Sequence, residues 1–163
     1  MAYPAFKKKE FFVFHEIEDA INSNLVDAGV IIHENRFTYA ERGFEVICDL
    51  GSFWEQKTGL PIPLGGIAIK SDLPNEVKQL VNSLIRESIQ FAFDNPNESK
   101  PFIDFHAQEM QEEIKQKHIA LFVNNYSLDL GADGKHAIQE LYLQAQKLEI
   151  LPRLDTNKLF LNS

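Results

Sequence analysis

The amino-acid sequence predicts an α/β fold, with its strands near the N-terminus and helices through the remainder. Residues 11–14, 16–25 and 28–32 read as strand, helix and strand, the order expected of a βαβ unit with a parallel sheet. After Leu73, apolar residues recur at the three- and four-residue spacing of amphipathic helices. A strip containing two prolines, TGLPIPLGG at 58–66, lies between these two parts.

The first part contains further short elements. Residues 36–42 predict a short helix or turn that ends at Gly43, and the alternation over 44–50 predicts a third strand. A short helix is predicted at 51–57, directly before the strip, and 67–69 are strand-like. The strip itself cannot pair as a central strand, because its prolines lack the N–H donors that a ladder needs.

The second part is predicted to be almost entirely helical. Pro74 fits the first turn of a helix. Phe105, Ile114, Ile119 and Val123 are expected to face inward. The predicted elements are a long amphipathic helix at 74–94, a loop at 94–101, one or two helices at 102–124, a turn at 129–134 and a helix at 135–149.

Composition narrows the classes of function. The chain has 163 residues, 44% of them hydrophobic and 25% charged, which suits one soluble domain or two small lobes. The net charge of −8 argues against nucleic acid, which needs a basic face. No apolar run approaches the roughly 20 residues that span a bilayer, and no secretion signal is recognisable. Cys48 is the only cysteine, so the balance favours the cytosol.

The segment IIHENRFTY, residues 31–39, is the first candidate site. It places His33 and Glu34 at the end of a predicted strand, where ligands bind in open α/β sheets. Histidine can act as a general base because its ordinary pKa lies near working pH. Polar groups that could orient it or hold a substrate are Glu34, Arg36, Thr38 and Tyr39. The alternative is a strand-end histidine that is merely capped by a neighbouring carbonyl.

The strip is the second candidate site. Its prolines fix φ near −65° and stiffen the backbone, and Gly65 and Gly66 allow a ligand to approach closely. Thr58 offers a hydroxyl group, and the apolar middle could face a flat ligand. The alternative is a rigid crossover between two lobes, and both roles are compatible. The residues concerned are Thr58, Pro61, Ile62, Pro63, Leu64, Gly65 and Gly66.

No metal or cofactor is expected. The sequence contains no HExxH, CxxC, P-loop or GxGxxG motif. His106 and Glu109 share a helical face, but no second pair completes a metal site. Cys48 is interpreted as a small core residue. Trp54 is interpreted as packed at the boundary between the two parts, with an aromatic floor for a planar ligand as the alternative.

Four segments together resemble one enzyme family. They are IIHENRFTY, DLGSFWEQKTGLPIPLGGIAI at 49–69, HAQEM at 106–110 and HIALFVNNYSLDLG at 118–131. In this order they resemble 1,4-dihydroxy-6-naphthoate synthases of the futalosine pathway of bacterial menaquinone biosynthesis. The sister family, chorismate dehydratase, shares the DLG…W…TGLP pattern but differs after the first proline, where this chain has Ile62–Gly66.

The resemblance implies a type II periplasmic-binding-protein-like fold, with two α/β lobes around a cleft. Residues 1–62 would form part of the small lobe, and 63–163 the hinge strand and mostly helical part of the large lobe. The implied reaction is a metal-independent lyase reaction that converts cyclic dehypoxanthine futalosine to 1,4-dihydroxy-6-naphthoate. His33 matches the family's base. The strip would line the cleft.

The resemblance also implies an additional N-terminal segment in relatives, preceding the position of Ala2. That segment would supply strands and part of the substrate site, so this chain is expected to correspond to the C-terminal portion. Two alternatives to an active enzyme therefore stand. One is a non-catalytic small-molecule binding module of the same fold; the other is an inactive fragment held by association, with itself or with the missing segment.

Overall fold

The structure, a computed structural model, describes residues 2–3, 5–32, 35–107 and 111–161. These residues form α-helices joined by short 3₁₀ turns at Phe14–Glu16, Tyr39–Arg42 and Thr156–Leu159. The α-helices are α1 (Ile17–Asn22), α2 (Asn35–Thr38), α3 (Leu50–Thr58), α4 (Asn75–Asp94), α5 (Pro96–His106), α6 (Glu112–Phe122), α7 (Asn125–Leu128) and α8 (Gly131–Lys147).

The predicted strands are wrong for the residues that the structure describes, because none of these residues is in a β-strand. The segments at 11–13, 28–32, 44–49 and 67–69 lack regular secondary structure. A strand persists only when a neighbouring strand satisfies its N–H and C=O groups, and the described residues supply no such neighbour. The α/β class predicted from sequence is therefore not supported here, although the segments keep the apolar composition of strands.

The long helix α4 confirms the most regular sequence pattern. It runs over Asn75–Asp94 after Pro74, as predicted from the apolar stripe. No residue of α4 is buried, however, and Leu80 and Leu84 are 58% and 54% exposed. The described residues thus leave much of this apolar face uncovered.

Two predictions in the helical part are wrong. The predicted loop at 94–101 is mostly helix α5, which starts with Pro96 and contains Pro101. Proline suits a first helical turn, where no intrahelical N–H bond is needed, so Pro96 begins this helix. The predicted turn at 129–134 is also partly helical, because α8 starts at Gly131.

Packing within the described residues is sparse. Their buried apolar side chains are Ala20, Trp54, Ile114, Ala137 and Ala145. Ile114 is therefore inward as predicted, whereas Phe105 is 83% exposed and Val123 38% exposed, against expectation. Ile119 is half-buried. Helix α4 contacts α5 and α7.

No helix formed by the described residues combines the length and the apolar character that crossing a membrane requires.

Candidate functional site

A buried carboxylate organises the segment that follows His33 in sequence. Glu18 lies on α1 and is 5% exposed. Its Oε1 accepts a hydrogen bond from Asn35 Nδ2 at 2.9 Å, and its Oε2 accepts one from Arg42 Nη1. Both carboxylate oxygens are thus paired, as a buried charge requires. The bonds join α1 to the start of α2 and to the end of the 3₁₀ turn after it.

A second ion pair joins the same segment to α3. Arg36 Nη2 lies 3.1 Å from Asp49 Oδ2, and Asp49 Oδ1 accepts from Ser52 N at 2.9 Å as the N-cap of α3. The backbone hydrogen bond from Ser52 lowers the pKa of Asp49, and the nearby Arg36 guanidinium lowers it further. Asp49 therefore stabilises the start of α3 and holds Arg36 in place.

The strip is fixed at its first half by α3. Trp54 is 4% exposed and donates its Nε1–H to Pro61 O at 3.1 Å. Thr58 Oγ1 donates to Trp54 O at 2.8 Å and accepts from Leu60 N at 3.1 Å. Gly59 has a φ of 70°, a left-handed conformation that glycine adopts without strain. These contacts turn the chain from the helix into the strip.

Trp54 is buried against the start of the strip, so its ring is not an open floor for a planar ligand, and its predicted place at a boundary between two lobes stays a prediction. Cys48 is half-exposed, so its interpretation as a core residue is wrong for the described residues. The predicted strand around it has no partner, and its side chain therefore lacks a covering layer.

The structure brings several predicted site residues onto one connected unit. Thr38 is buried, with 8% exposure, and Tyr39 is half-buried. Tyr39 O accepts from Phe44 N at 3.1 Å, which closes the turn that Gly43 ends. Arg36 joins this segment to α3 and so, through Trp54, to the strip. The predicted helix over 36–42 is confirmed as α2 and its 3₁₀ continuation.

The second half of the strip remains open. Leu64 is 43% exposed, and Gly65 and Gly66 are exposed as well. A methyl group built on either glycine would meet no described atom within 4 Å. Pro63 and Ile62 are half-buried. The predicted close approach of a ligand to the glycines stays a prediction.

His33 and Glu34, the predicted base and its neighbour, lie outside the described residues. Their sequence position places them immediately before Asn35.

Two surface hollows lie away from these residues. One, of about 640 Å³, is lined by residues 146–147 and 149–153, and the other, of about 410 Å³, by residues 125–126 and 129–133. Neither is lined by a predicted site residue. Among the described residues, no group of His, Cys, Asp or Glu is arranged to hold a metal ion, and the expected absence of a metal stays a prediction.

Sequence reasoning missed Glu18 and Asp49. The signal for Asp49 was present, because an Asp directly before an LGSFW helix start matches the preference for N-cap residues. Glu18 lies beside the apolar positions Ile17 and Ile21, and no local pattern distinguishes it from a solvated glutamate. Its partners are 17 and 24 residues away in sequence.

The fold is similar to that of a solved structure. The crystal structure of protein AF1704 from Archaeoglobus fulgidus matches with a TM-score of 0.79 and 32% sequence identity, over 86% of this chain and 53% of that one. Relatives with curated names are the enzymes called "1,4-dihydroxy-6-naphtoate synthase" from two bacteria. The Streptomyces coelicolor enzyme is 41% identical over 90% of this chain and 52% of its own length. The Thermus thermophilus enzyme is 40% identical over 74% of this chain and 44% of its own length.

The named relatives are synthases, so the chain is similar to part of a biosynthetic enzyme. The family model for menaquinone biosynthesis matches residues 1–147, and the chain belongs to that family. The chain spans about half the length of the curated relatives that it matches.

Proposed function

We propose that the chain acts in menaquinone biosynthesis as a 1,4-dihydroxy-6-naphthoate synthase, converting cyclic dehypoxanthine futalosine to 1,4-dihydroxy-6-naphthoate. The observation that carries the proposal is 41% identity to the Streptomyces coelicolor synthase over 90% of this chain. The motifs around His33 and the strip support it, because they are the segments through which the sequence resembles that family.

His33 is the proposed general base. It removes a proton from an activated carbon of the substrate, after which a C–C bond breaks, a sugar-derived fragment leaves and the ring becomes aromatic. A lone imidazole suits this step, since proton abstraction needs a base near neutral pKa and neither a metal nor another cofactor is expected. The proposal is compatible with the paired carboxylate and guanidinium groups that fix residues 35–42 directly after His33.

The remaining proposed site residues form two groups: those with surface free for a substrate, and those whose side chains are buried or already hydrogen-bonded. Arg36, Tyr39 and the open half of the strip keep exposed or half-exposed surface for a substrate. Thr38 and Thr58 act mainly by shaping the site, because Thr38 is buried and the Thr58 hydroxyl is engaged by backbone groups. The proposed substrate-contacting residues are Glu34, Arg36, Tyr39, Pro61, Ile62, Pro63, Leu64, Gly65 and Gly66.

We further propose that the active molecule is a cytoplasmic, two-lobed protein of the periplasmic-binding-protein type, with the cleft between its lobes. Residues 1–62 belong to the small lobe and 63–163 to the hinge and the large lobe. Support comes from the position of the strip, which α3 clamps at Trp54 and which is open at Gly65 and Gly66.

Association with additional polypeptide completes this proposal. Several apolar side chains are strongly exposed in the segments that were predicted as strands but lack regular secondary structure. They include Phe11 at 92%, Val30 at 64%, Ile47 at 69% and Ile67 at 77%. Exposed apolar surface of this kind marks sites that another surface covers. The chain matches only about half of each relative's length, so the part of their sequence that it does not match is the proposed cover.

Turnover tests the proposed reaction. The chain is assayed with cyclic dehypoxanthine futalosine, alone and with the unmatched part of the Streptomyces coelicolor relative as a separate polypeptide. We expect product in at least one preparation and its loss in His33→Ala. His136→Ala is the matched control, because His136 is exposed on α8. Absence of product in both preparations would refute the activity, and full activity of His33→Ala would refute the base.

Sedimentation velocity tests the association. We expect the chain and the added polypeptide to sediment as one complex, and Val30→Asp with Ile47→Asp to weaken it. Because both side chains are exposed in this chain, neither substitution should unfold it. Ile150→Asp, at a 62% exposed position in the tail, is the control. A compact monomer that binds no partner at any concentration would contradict the association, and saturable substrate binding without product would favour a non-catalytic binding module.

A further inference from the structure

We propose that Glu18 is a positioning residue that sets the orientation of residues 35–42 for the reaction. The proposal rests on the proposed function, because these residues directly follow His33 and include Arg36 and Tyr39. Glu18 itself does not touch the reacting atoms in this proposal. It acts through the two side chains that bind it.

The geometry of Glu18 is that of a two-point anchor. Asn35 is the first residue of α2, and Arg42 is the last residue of the 3₁₀ turn that continues it. Glu18 accepts a hydrogen bond from each, at Oε1 and Oε2 respectively. A single bond would leave the segment free to swing about one end, whereas bonds at both ends restrict its rotation and its translation.

The burial of Glu18 indicates that its carboxylate serves to orient its partners and not only to stabilise the fold. The side chain of Glu18 is 6% exposed, whereas that of Arg42 is 55% exposed. Removing a carboxylate from water is costly, and a well-packed apolar residue of similar size is often at least as stabilising as a buried ion pair. A requirement for stability alone would therefore be met by a leucine or methionine at this position. The carboxylate provides two directional acceptors, which an apolar side chain cannot provide.

The opposite side of the segment is held independently. Arg36 pairs with Asp49 at the start of α3, and that ion pair is exposed on both sides, with side chains 36% and 45% exposed. Exposed pairs hold geometry weakly. Glu18 is accordingly the stronger constraint on where the residues after His33 lie.

The experiment compares three variants of the full chain, alone and with the added polypeptide described above. Glu18→Met keeps the side-chain length but removes both acceptors. Glu18→Gln is the conservative variant, because a flipped Asn35 amide can accept from the new amide while Arg42 still finds an oxygen. Glu16→Met is the matched control, since Glu16 is exposed two residues away.

Hydrogen exchange followed by mass spectrometry measures the anchor without relying on activity. In Glu18→Met we expect amide exchange over 35–42 to rise by about 10-fold or more, which corresponds to local opening, while exchange in α4 is unchanged. Glu18→Gln and Glu16→Met should match the parent chain. Unchanged exchange over 35–42, or an equal rise throughout the chain, would overturn the proposal.

Kinetics measure what the anchor does for the reaction. We expect Glu18→Met to lower kcat by about 10- to 100-fold, the scale at which small misplacements of reacting groups act, with a smaller change in KM. Glu18→Gln should recover most of kcat. A normal kcat in Glu18→Met, despite local opening, would overturn the positioning role. If the parent chain shows no turnover, the proposed function fails, and the exchange result alone decides whether Glu18 orders the segment.

Discussion

Two regions of this molecule are held together in different ways. Within residues 14–32 and 35–62, directional side-chain bonds join separate elements: Glu18 to Asn35 and Arg42, Arg36 to Asp49, and Trp54 to Pro61. The helices from α4 to α8 instead carry ion pairs on their surface and a long apolar stripe that the described residues leave largely exposed.

The two regions differ in which interactions fix the position of one segment relative to another. A bond between residues far apart in sequence sets where one segment lies relative to another. A helix stripe sets only which face a helix presents, and an additional surface must decide what it packs against. We therefore expect side-chain changes in the first region to alter local geometry or stability, and changes on the exposed helix faces to be nearly silent in the isolated chain.

The largest expected effect tests the packing of the first region. Trp54→Ala should lower the free energy of unfolding by about 3–5 kcal/mol, because Trp54 is 4% exposed and its indole N–H is bonded to Pro61. Chemical denaturation followed by circular dichroism measures the change.

Two companion variants sharpen this first prediction. Trp54→Phe keeps most of the packing and loses the hydrogen bond, so its cost should be clearly smaller. Phe105→Ala removes an aromatic ring that is 83% exposed on α5 and should cost no more than about 0.5 kcal/mol. A cost for Phe105→Ala equal to that of Trp54→Ala would contradict the contrast between the regions.

A smaller effect is expected at the start of α3. Asp49→Ala removes both the N-cap to Ser52 and the partner of Arg36, and should cost about 1 kcal/mol. Asp49→Asn keeps a capping oxygen and should cost less. Thermal unfolding of both variants at neutral pH measures the difference, and equal losses would show that the ion pair, rather than the cap, dominates.

Acid should selectively remove the contribution of Asp49. The Ser52 backbone hydrogen bond and then Arg36 lower the pKa of Asp49, so the folded state holds the charged form more tightly than the unfolded state does. Its stabilisation is present above the ordinary carboxyl pKa and is lost as pH falls through the lowered one. Asp49→Asn should therefore flatten this part of the stability profile, and a parallel profile would contradict the shift.

The smallest expected effect lies in the surface ion pairs of α5 and α6. Lys100 Nζ lies 2.7 Å from Glu112 Oε2 and 3.1 Å from Asp104 Oδ2. Hydrogen bonds from Lys100, then Gln116 and Lys115, lower the pKa of Glu112 to about 2. The resulting stabilisation should fade between the ordinary glutamate pKa and pH 2.

Salt distinguishes this surface contribution from the buried ones. Exposed charges are screened strongly at about 1 M salt, so Lys100→Ala should differ from the parent chain in thermal unfolding only at low ionic strength. Lys117→Ala removes the lysine that pairs with the exposed Glu113 on α6. It is the control for the loss of one surface lysine. A salt-independent difference at Lys100 would show that the pair is part of a buried contact.

Local patterns in the sequence predicted the helices well and the strands poorly. The apolar stripe of α4, and the glycines Gly43 and Gly59 that end two helical segments, can be recognised from residues close together in sequence. A strand such as the one predicted at 28–32 depends on a partner strand that can be distant in sequence, and the described residues provide none. The loop predicted at 94–101 is wrong, because Pro96 begins a helix.

In the candidate site as well, local sequence predicts some features, and contacts between residues distant in sequence decide the others. The Asp49 cap could have been predicted from its position before a helix, whereas the burial of Glu18 depends on residues that local spacing does not connect. The candidate site residues were predicted from sequence motifs and from the family that these motifs resemble. The structure adds the bonds that join Arg36, Trp54 and Thr58 into one unit. The roles of His33 and Glu34 stay predictions.

The open glycine pair of the strip also offers a practical handle. Neither Gly65 nor Gly66 has a positive φ, and a Cβ atom at either position would meet no described atom within 4 Å. With Cys48 as the single native cysteine, a Cys48→Ala, Gly65→Cys variant would carry one thiol for a fluorescent dye. The colour of its emission would then report directly whether polypeptide or solvent surrounds this end of the strip.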